Sequence, residues 1–511
     1  MSANLFERFR AGLIEEAPFM RSPVAGALSY AGMISRSGQY ANALLDLGVE
    51  PGDRVLVQVD KSAEQVLLYL GCLRAGAVFV PLNSAYTLVE MEHFIQDSEP
   101  CVVVCAPGKL AALLPLAQRL GVAHVVTLAS DGQGGSLAAR ADSQDTLGFE
   151  ARRAEADLAA IIYTSGTTGR AKGAMLSHGN LAANAYCLKA CWRYTARDVL
   201  LHFLPLFHIH GLFVAINVTL AAGASLVLLP SFNRDAVVGQ LPTATVLMGV
   251  PTHYLRLLQD ARIDRASMAR LRLCISGSAP LLPETHGDWL ARTGHSIVER
   301  YGMSEIGIMS SNPYEGERRP GTVGQALPGV SLRVVDLDSG AAVASDTVGM
   351  IEVKGPSVFA GYWRMPDRTR AEFRDDGYFV TGDLGQIDVR GYLQIVGRGK
   401  DLIITGGYNV YPREVEGEID AIPGVLESAV FGVPHPDFGE GVSAVVVPQG
   451  ASHQVAEQRL TESVILAHLH ERLAGYKCPK RVLFRAELPR NAMGKVQKSL
   501  LRDQYASLYR A

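Results

Sequence analysis

YTSGTTGRAKG, at residues Tyr163–Gly173, is the most informative stretch of the sequence and directly follows the apolar run Leu158–Ile162. Its glycines let the backbone approach phosphate oxygens closely, its hydroxyl groups donate hydrogen bonds, and Arg170 and Lys172 add positive charge. Short Gly/Ser/Thr clusters are usually plain loops, but this length and composition after a predicted strand favours a polyphosphate site. The candidate ligands are Thr164, Ser165, Gly166, Thr167, Thr168, Gly169 and Lys172.

Two better-known nucleotide-binding motifs are absent from the sequence. The Gly-Lys pairs that begin at Gly108, Gly399 and Gly494 are not followed by Ser or Thr, so none of them is a Walker A loop. No GxGxxG follows an apolar strand, which removes the dinucleotide-binding fingerprint. The phosphate loop therefore belongs to a different class of nucleotide-binding protein.

Short apolar runs alternate with helix-length amphipathic stretches through the first part of the chain. RVLVQV at Arg54–Val59 and CVVVC at Cys101–Cys105 are typical of buried parallel strands, and Ser62–Arg74 is typical of a covering helix. The sequence therefore predicts an α/β fold: a large, multi-lobed N-terminal domain over residues 1–397 with helix-covered parallel sheets and a small β unit at about 330–397. A small, mobile α+β domain is predicted over residues 398–511, because the glycine-containing, charged segment at 397–401 suits a hinge.

Composition excludes several classes of protein. The chain has 511 residues, a formal charge of −3 and 19% charged residues, so no basic field would gather nucleic acid. Its 7 cysteines form no CxxC pair, which favours reduced thiols and a cytoplasmic location. The N-terminal residues do not resemble a signal peptide, and the apolar run Leu212–Pro230 is interrupted by Asn217, Thr219 and Gly223, so no membrane span is predicted.

Four further motifs follow the phosphate loop in order: ERYGMSE at Glu299–Glu305, YFVTGD at Tyr378–Asp383, GRGKDLIITGG at Gly397–Gly407 and PRNAMGK at Pro489–Lys495. With the loop, they resemble the acyl-adenylate-forming superfamily of acyl-CoA synthetases, luciferases and peptide-synthetase adenylation domains. The resemblance implies an N-terminal part that binds ATP and an acid, and a C-terminal domain that rotates between two half-reactions. In the first, a carboxylate attacks the α-phosphorus of ATP, and in the second the thiol of CoA attacks the acyl-AMP.

The resemblance also assigns catalytic roles. Glu305, together with Thr168, matches the Mg²⁺-associated position, and Lys495 matches the lysine that reaches the α-phosphate and the substrate carboxylate. Lys400 matches the hinge, and His208 resembles the residue that gates the CoA tunnel, whereas His210 is expected to be a packed helix histidine. Taken alone, a single Glu or Lys is more often a solvated side chain, so these roles depend on the ordered set of motifs.

The binding roles are carried over in the same way. Asp383 is expected to accept both ribose hydroxyls with help from Arg398, although an Asp after Thr-Gly is often only a turn residue. Gly406 and Gly407 match the stretch passed by the CoA pantetheine arm. The remaining candidate ATP or AMP contacts are Ser278, Ala279, Glu299, Arg300, Tyr301, which would stack on adenine, Gly302, Met303 and Ser304.

Arg300 indicates which class of acid the site would bind. Most acyl-CoA synthetases have Gly or an apolar residue at this place, and an unpaired guanidinium would exclude fatty or aromatic acids while a second carboxylate could pair with it. With MGVPTHY and SGSAPLL, the motif is similar to malonyl-CoA and methylmalonyl-CoA synthetases. We therefore expect a short dicarboxylic acid, malonate or methylmalonate, with His208, Ser278, Met303 and Met309 as further pocket residues.

Alternatives to these expectations remain at the level of sequence. Arg300 could instead pair with Glu299 or Glu305 at the surface. The chain could activate another short acid, load a carrier protein in place of free CoA, or be a nucleotide-binding regulator without catalysis. The expected partners are the acid, ATP, CoA and Mg²⁺, with no nucleic acid and no membrane, and the resemblance also implies a lysine acetyltransferase and a deacylase acting on Lys495.

Overall fold

A computed structural model of the chain describes residues 2–131, 134–164, 171–449, 460–491 and 494–509. Residue contacts divide it into two compact units, Met1–Ser331 with Lys354–Phe379, and Leu332–Val353 with Val380–Ala511. The mixed architecture of parallel sheets and covering helices confirms the predicted α/β class. The predicted domain boundary between residues 397 and 398 stays a prediction.

The regular elements are numbered here in chain order. The strands are β1 (Pro18–Ser22), β2 (Gly26–Ser29), β3 (Arg54–Gln58), β4 (Val78–Pro81), β5 (Val102–Cys105), β6 (His124–Thr127), β7 (Leu158–Thr164), β8 (Lys172–Ser177), β9 (Val199–His202), β10 (Ser225–Leu228), β11 (Val246–Gly249), β12 (Leu273–Ser276), β13 (Ile297–Met303), β14 (Gly307–Ser311), β15 (Gln325–Ala326), β16 (Ser331–Val335), β17 (Gly349–Lys354), β18 (Phe379–Ile387), β19 (Leu393–Arg398), β20 (Ile403–Thr405), β21 (Tyr408–Val410), β22 (Val425–His435), β23 (Gly439–Pro448) and β24 (Arg481–Phe484). The α-helices are α1 (Leu5–Arg10), α2 (Tyr30–Asp46), α3 (Ala63–Ala75), α4 (Leu88–Ser98), α5 (Leu110–Arg119), α6 (Ser136–Asp142), α7 (His178–Cys191), α8 (Asn217–Ala222), α9 (Arg234–Gln240), α10 (Pro251–Leu258), α11 (Pro283–Thr293), α12 (Pro366–Ala371), α13 (Pro412–Asp420), α14 (Glu462–Arg472) and α15 (Lys498–Gln504), and a π-helix covers His210–Ile216.

A nine-stranded sheet forms the centre of the first unit, in the order β15-β14-β13-β12-β11-β9-β10-β1-β2. The run from β1 through β10, β9, β11 and β12 to β13 is parallel, and the strands at both ends of the sheet are antiparallel. The inner strands β11 and β12 are buried along their whole length, as expected for parallel strands covered on both faces. The apolar run that resembled a membrane span divides into the π-helix, α8 and β10, and no helix in the described part of the chain is long and apolar enough to span a membrane.

A six-stranded sheet has the order β6-β5-β3-β4-β7-β8, and its strands β7 and β8 lie on either side of the predicted phosphate loop in the sequence. Strands β7 and β8 are antiparallel, with Thr164 opposite Lys172. The loop therefore connects two paired strands of a hairpin. This differs from a Walker A loop, which joins a strand to a helix.

The second unit contains most of the four-stranded sheet β16-β17-β18-β19 and a five-stranded sheet built on β22 and β23. The antiparallel pair β22 and β23 runs from Val425 opposite Pro448 to His435 opposite Gly439. One of its cores joins α13 and α14 to this sheet through residues such as Val415, Ile419, Val430 and Ile465. The sheet thus gives the unit a rigid platform for the loops around it.

Candidate active site

The candidate acid site lies at the carboxyl ends of neighbouring parallel strands. β9 ends at His202, β12 ends at Ser276, and Arg300 directly follows Glu299, the last residue of β13 that pairs with β12. In open α/β sheets the carboxyl edge is where ligands bind, because the loops that follow the strands converge there. Residues that are far apart in the sequence are brought together at this edge.

Arg300 is buried, with only 4% of its surface exposed. Its Nε and Nη2 atoms have no hydrogen-bond partner among the described residues. Burial lowers the pKa of its guanidinium from 12.5 to about 9, so the group still carries its charge at neutral pH. A buried charge without a partner is costly and is a strong indication of an anionic ligand.

Gly277 makes room for this guanidinium. A Cβ atom at Gly277 would lie 2.4 Å from Arg300 Cζ and 2.5 Å from Arg300 Nε. The turn that follows β12 therefore has to carry glycine if the arginine is to pack flat against the backbone. The SGSAP motif and the arginine of ERYGMSE are thus two parts of one site.

His210 lies beside the same turn. It is 1% exposed, its Nδ1 lies 3.2 Å from Ser278 Oγ, and its Nε2 has no partner among the described residues. Burial, and then the charge of Arg300, lower the pKa of His210 well below its usual value, so the ring is neutral. If Ser278 donates to Nδ1, the proton on Nε2 is available to an acceptor such as a carboxylate oxygen.

The structure corrects the interpretation of Arg300 as a surface ion-pair residue. Glu299 Oε1 accepts from the backbone N–H of Gly321 at 3.3 Å and lies 3.5 Å from His286 Nδ1. Because adjacent residues on a strand point to opposite faces, Glu299 faces away from Arg300. Burial raises the pKa of the Glu299 carboxyl, and the structure does not bring this residue together with the other candidates.

Glu305 begins a second group of polar side chains. Its side chain is 4% exposed, and its Oε1 lies 3.4 Å from Thr164 Oγ1 at the end of β7 and 3.1 Å from Tyr362 OH. The Tyr362 hydroxyl also donates to Glu372 Oε2 at 2.7 Å. The glutamate of ERYGMSE is therefore held next to the strand that leads into the phosphate loop.

Lys172 and Glu372 complete this group. Lys172 Nζ lies 3.2 Å from Glu372 Oε1 and 4.1 Å from the centroid of the Tyr362 ring. Sequence reasoning missed Tyr362 and Glu372, because neither lies in a quoted motif. It expected His210, which shares the segment PLFHIHGL with His208, to be a packed histidine and so did not include it among the candidates for the acid site.

The remaining loop candidates Ser165, Gly166, Thr167, Thr168 and Gly169 lie outside the described residues. No cluster of three or more His, Cys, Asp or Glu side chains suited to a metal occurs in the described part of the chain. Mg²⁺ is commonly held by one or two carboxylates together with substrate phosphates. A single buried carboxylate at Glu305, beside the strand that leads to the predicted phosphate loop, fits that way of holding the ion.

The other candidates of the first unit surround these groups. Tyr301, Gly302 and Met303 are half-buried on β13, Ser304 is buried, and Ala279 is exposed. Ser311 lies opposite Arg300 in the β13–β14 pair, and Met309, which is 1% exposed, lies at the shift of register in this pair. His208 Nδ1 accepts from the backbone N–H of His210 at 3.1 Å and so fixes the first turn of the π-helix.

In the second unit, Asp383 and Arg398 lie opposite each other on β18 and β19, and Arg398 Nε is 2.7 Å from Asp383 Oδ1. Asp383 is 2% exposed. Asp383 is therefore a buried carboxylate that pairs with Arg398, and not only a turn residue.

The other motifs of this unit lie in turns. Lys400 lies in a short 3₁₀ turn at Gly399–Asp401, and burial lowers the pKa of its ammonium group. Gly406 and Gly407, with φ of 57° and 82°, form the two-residue turn between β20 and β21, where side chains are disfavoured. Lys495 follows Gly494, whose φ is 75°, near the tip of a hairpin.

Comparison with known proteins agrees with this set of motifs. A family model described as AMP-binding enzyme matches residues 15–363, and a model of the AMP-binding enzyme C-terminal domain matches residues 414–495. The crystal structure of ATP-bound MatB from Rhodopseudomonas palustris is 53% identical, covers 100% of both chains and superposes with a TM-score of 0.97.

Two relatives show that overall sequence identity does not identify the acid. A malonate–CoA ligase of Arabidopsis thaliana is 35% identical over 494 residues, which cover 92% of this chain and 80% of that protein. A feruloyl-CoA synthase of an Amycolatopsis species is also 35% identical, over 485 residues and 94% of each chain. Equal identity to enzymes named for different acids leaves the choice of acid to the residues of the site.

Proposed function

The chain belongs to the AMP-binding enzyme family, and on that premise we propose that it is a malonate–CoA ligase. It activates malonate with ATP to give malonyl-AMP and pyrophosphate. It then transfers the malonyl group to the thiol of CoA, with release of AMP. One observation carries the choice of acid: the buried guanidinium of Arg300 has two nitrogen atoms without a partner among the described residues, beside the unpaired Nε2 of His210.

A dicarboxylate satisfies these groups and a monocarboxylate does not. One carboxylate of malonate accepts from Arg300 and His210, while the other remains for the reaction with ATP. A fatty or aromatic acid would leave the guanidinium buried and unpaired, at a cost of several kcal/mol.

The first half-reaction needs little covalent chemistry from the protein. A carboxylate oxygen of malonate bonds to the α-phosphorus, and the bond to the bridging oxygen breaks, so that pyrophosphate leaves with the electron pair. We propose that Lys495 supplies positive charge to the α-phosphate and the attacking carboxylate. We propose that Glu305, with Thr168, would hold Mg²⁺, which would neutralise charge on the phosphate oxygens.

Asp383 and Arg398 are proposed to hold the ribose, and Tyr301 to stack on adenine. In the second half-reaction the CoA sulfur attacks the malonyl carbonyl, the thiol proton is lost and AMP departs as the leaving group. Gly406 and Gly407 are proposed to line the path of the pantetheine arm, because their turn carries no side chains. His208 is proposed to control access to it, and Lys400 to act as the hinge.

The experiment that tests this function measures AMP release with ATP, Mg²⁺ and CoA. Malonate, methylmalonate, succinate, acetate, propionate and octanoate are offered one at a time to wild type and to Arg300→Met. We expect malonate or methylmalonate to be the best substrate of wild type, and Arg300→Met to lose at least 100-fold in kcat/KM for malonate. Propionate, in which a methyl group replaces one carboxylate of malonate, should lose much less.

The same assay separates the alternatives. A preference of wild type for acetate or octanoate would retain the ligase and overturn the dicarboxylate pocket. AMP formation that needs a carrier protein and ignores free CoA would indicate carrier loading, and no AMP with any acid would indicate a regulator. Arg472→Met is the matched control, because Arg472 forms a surface ion pair with Glu418 and takes no part in the proposed site.

Two further expectations belong to this proposal. All 7 cysteines are free, which supports a reducing compartment such as the cytoplasm. Acylation of Lys495 by a lysine acetyltransferase stays a prediction, and mass spectrometry of the protein purified from its own cells tests it.

A further inference from the structure

Lys495 lies in one of two short segments, 489–491 and 494–497, that pair with each other and that we together name the lysine hairpin. The backbone N–H of Gln497 donates to Pro489 O at 2.8 Å, and the N–H of Asn491 donates to Lys495 O at 2.9 Å. The Asn491 side chain accepts from the N–H of Lys495 at 3.0 Å. The backbone of the lysine is thus fixed on both its N–H and its carbonyl side.

Arg490 connects the lysine hairpin to the sheet that contains β22. Its Nη1 donates to Gly494 O at 2.5 Å, one residue before Lys495. Its Nη2 forms an ion pair with Glu427 on β22. One guanidinium therefore links the residue next to the lysine with the long β22–β23 ladder.

A second anchor follows the lysine. Lys498, at the start of α15, has its Nζ 2.6 Å from Glu416 Oε1 on α13. Glu416 is 3% exposed, and the same oxygen accepts from the backbone N–H of Val430 at 2.8 Å. The chain on either side of Lys495 is therefore held by a glutamate of the platform formed by α13 and β22.

The Arg490–Glu427 ion pair contributes too little to the stability of the fold for stability to be its main effect. Partly exposed ion pairs contribute little to folding, and the side chains of Arg490 and Glu427 are 30% and 27% exposed. Position matters far more, because a displacement of about 1 Å of a catalytic group can cost roughly 100-fold in rate. The contact therefore contributes little to folding, whereas it holds the backbone next to Lys495.

We propose that Arg490 and Glu427 are positioning residues for Lys495 in the adenylation half-reaction. The inference rests on the proposed role of Lys495 and adds how that side chain is held. Because the lysine acts on the α-phosphate, loss of the pair should slow formation of the acyl-adenylate. It should hardly change the rate at which CoA attacks an acyl-adenylate that has already formed.

The test measures the two half-reactions separately in the full-length chain. Malonate-dependent exchange of pyrophosphate into ATP reports the first, and CoA thioester formation from chemically synthesised malonyl-AMP reports the second. We expect Arg490→Met and Glu427→Gln each to slow the first by about 10- to 100-fold and the second by less than about 3-fold. The double variant should be no slower than either single one, because both changes remove the same contact.

Two controls separate the reasons for failure. Arg472→Met removes a surface ion pair to Glu418 elsewhere in the same unit, and we expect it to change neither half-reaction by more than about 2-fold. Lys495→Ala tests the proposed role itself: if the first half-reaction is unaffected, the role of the lysine fails. If Lys495→Ala is slow but Arg490→Met and Glu427→Gln behave as wild type, the positioning inference alone fails.

Equal slowing of both half-reactions would also overturn the inference, because that is the pattern of a general structural defect. Arg490→Lys guards against misfolding, since it keeps the charge and loses only the fork that reaches Gly494 O and Glu427 together. It should keep wild-type thermal stability and still slow the first half-reaction selectively. A wild-type rate for Arg490→Lys would show that charge alone suffices and would refute the proposed bridge.

Discussion

Arg300→Met should make the free protein more stable while it abolishes the use of malonate. Burial lowers the pKa of Arg300 from 12.5 to about 9. At about 1.4 kcal/mol per pKa unit, keeping the guanidinium charged at pH 7 costs on the order of 5 kcal/mol as an upper limit. Methionine has a similar length and no charge, so this cost disappears in the variant.

Part of that gain is offset. The guanidinium packs against Gly277, and losing its atoms leaves a gap that costs on the order of 1 to 2 kcal/mol. No hydrogen bond of Nε or Nη2 to the described residues is lost. The net expectation is that Arg300→Met raises the free energy of unfolding, by at most about 3 to 4 kcal/mol.

Urea denaturation with and without malonate measures both sides of this expectation. Malonate should stabilise wild type, by about 2.7 kcal/mol at 100 times its Kd, and should leave Arg300→Met unchanged. Arg272→Met should be destabilised by about 3 to 5 kcal/mol, because it leaves Asp198 buried without its cation. If Arg300→Met is destabilised as Arg272→Met is, the guanidinium has a structural partner and the argument for an anion-binding arginine is wrong.

Three further changes test other parts of the molecule. Gly277→Ala places a methyl group 2.4 Å from Arg300 Cζ. We therefore expect kcat/KM for malonate to fall by about 10-fold or more, while thermal stability changes little. Unchanged kinetics would show that the arginine is free to move. Glu305→Gln should raise the Mg²⁺ concentration needed for half-maximal AMP release by about 10-fold or more, and an unaltered Mg²⁺ titration would remove Glu305 from the metal site. Burial raises the pKa of Asp420 to about 7, so the folded state holds this proton more firmly than the unfolded state and stability is lost as pH rises from about 4 towards 7. Asp420→Asn stays neutral, and its advantage over wild type in urea denaturation should therefore grow by roughly 2 to 3 kcal/mol between pH 5 and pH 8, whereas a constant advantage would show that Asp420 does not titrate in that range.

The sequence predicted those parts of the fold that depend on local pattern. The buried strands at Arg54–Gln58 and Val102–Cys105 and the helix at Ala63–Ala75 follow from apolar runs and amphipathic spacing. The division of Leu212–Pro230 into helix and strand follows from its polar residues and Gly223 in the same way. What local pattern does not contain is the order of the strands, β9-β11-β12-β13, which brings three distant loops to one edge.

The site shows the same limit more sharply. Arg300 stood out because an arginine is unusual before a YGM motif, and its burial now agrees with that expectation. His210 did not stand out, because a histidine in an apolar segment is most often a packed side chain, and it is indeed 1% exposed. Its contact with Ser278 depends on the order of the strands, which local sequence does not show. A packed histidine can therefore also be part of the proposed acid site. Glu299 is the converse: it shares a motif with Arg300, but the alternation of a strand turns its carboxylate to the opposite face. A motif therefore predicts which segment reaches the site, and the side-chain direction within each strand decides which of its residues act there.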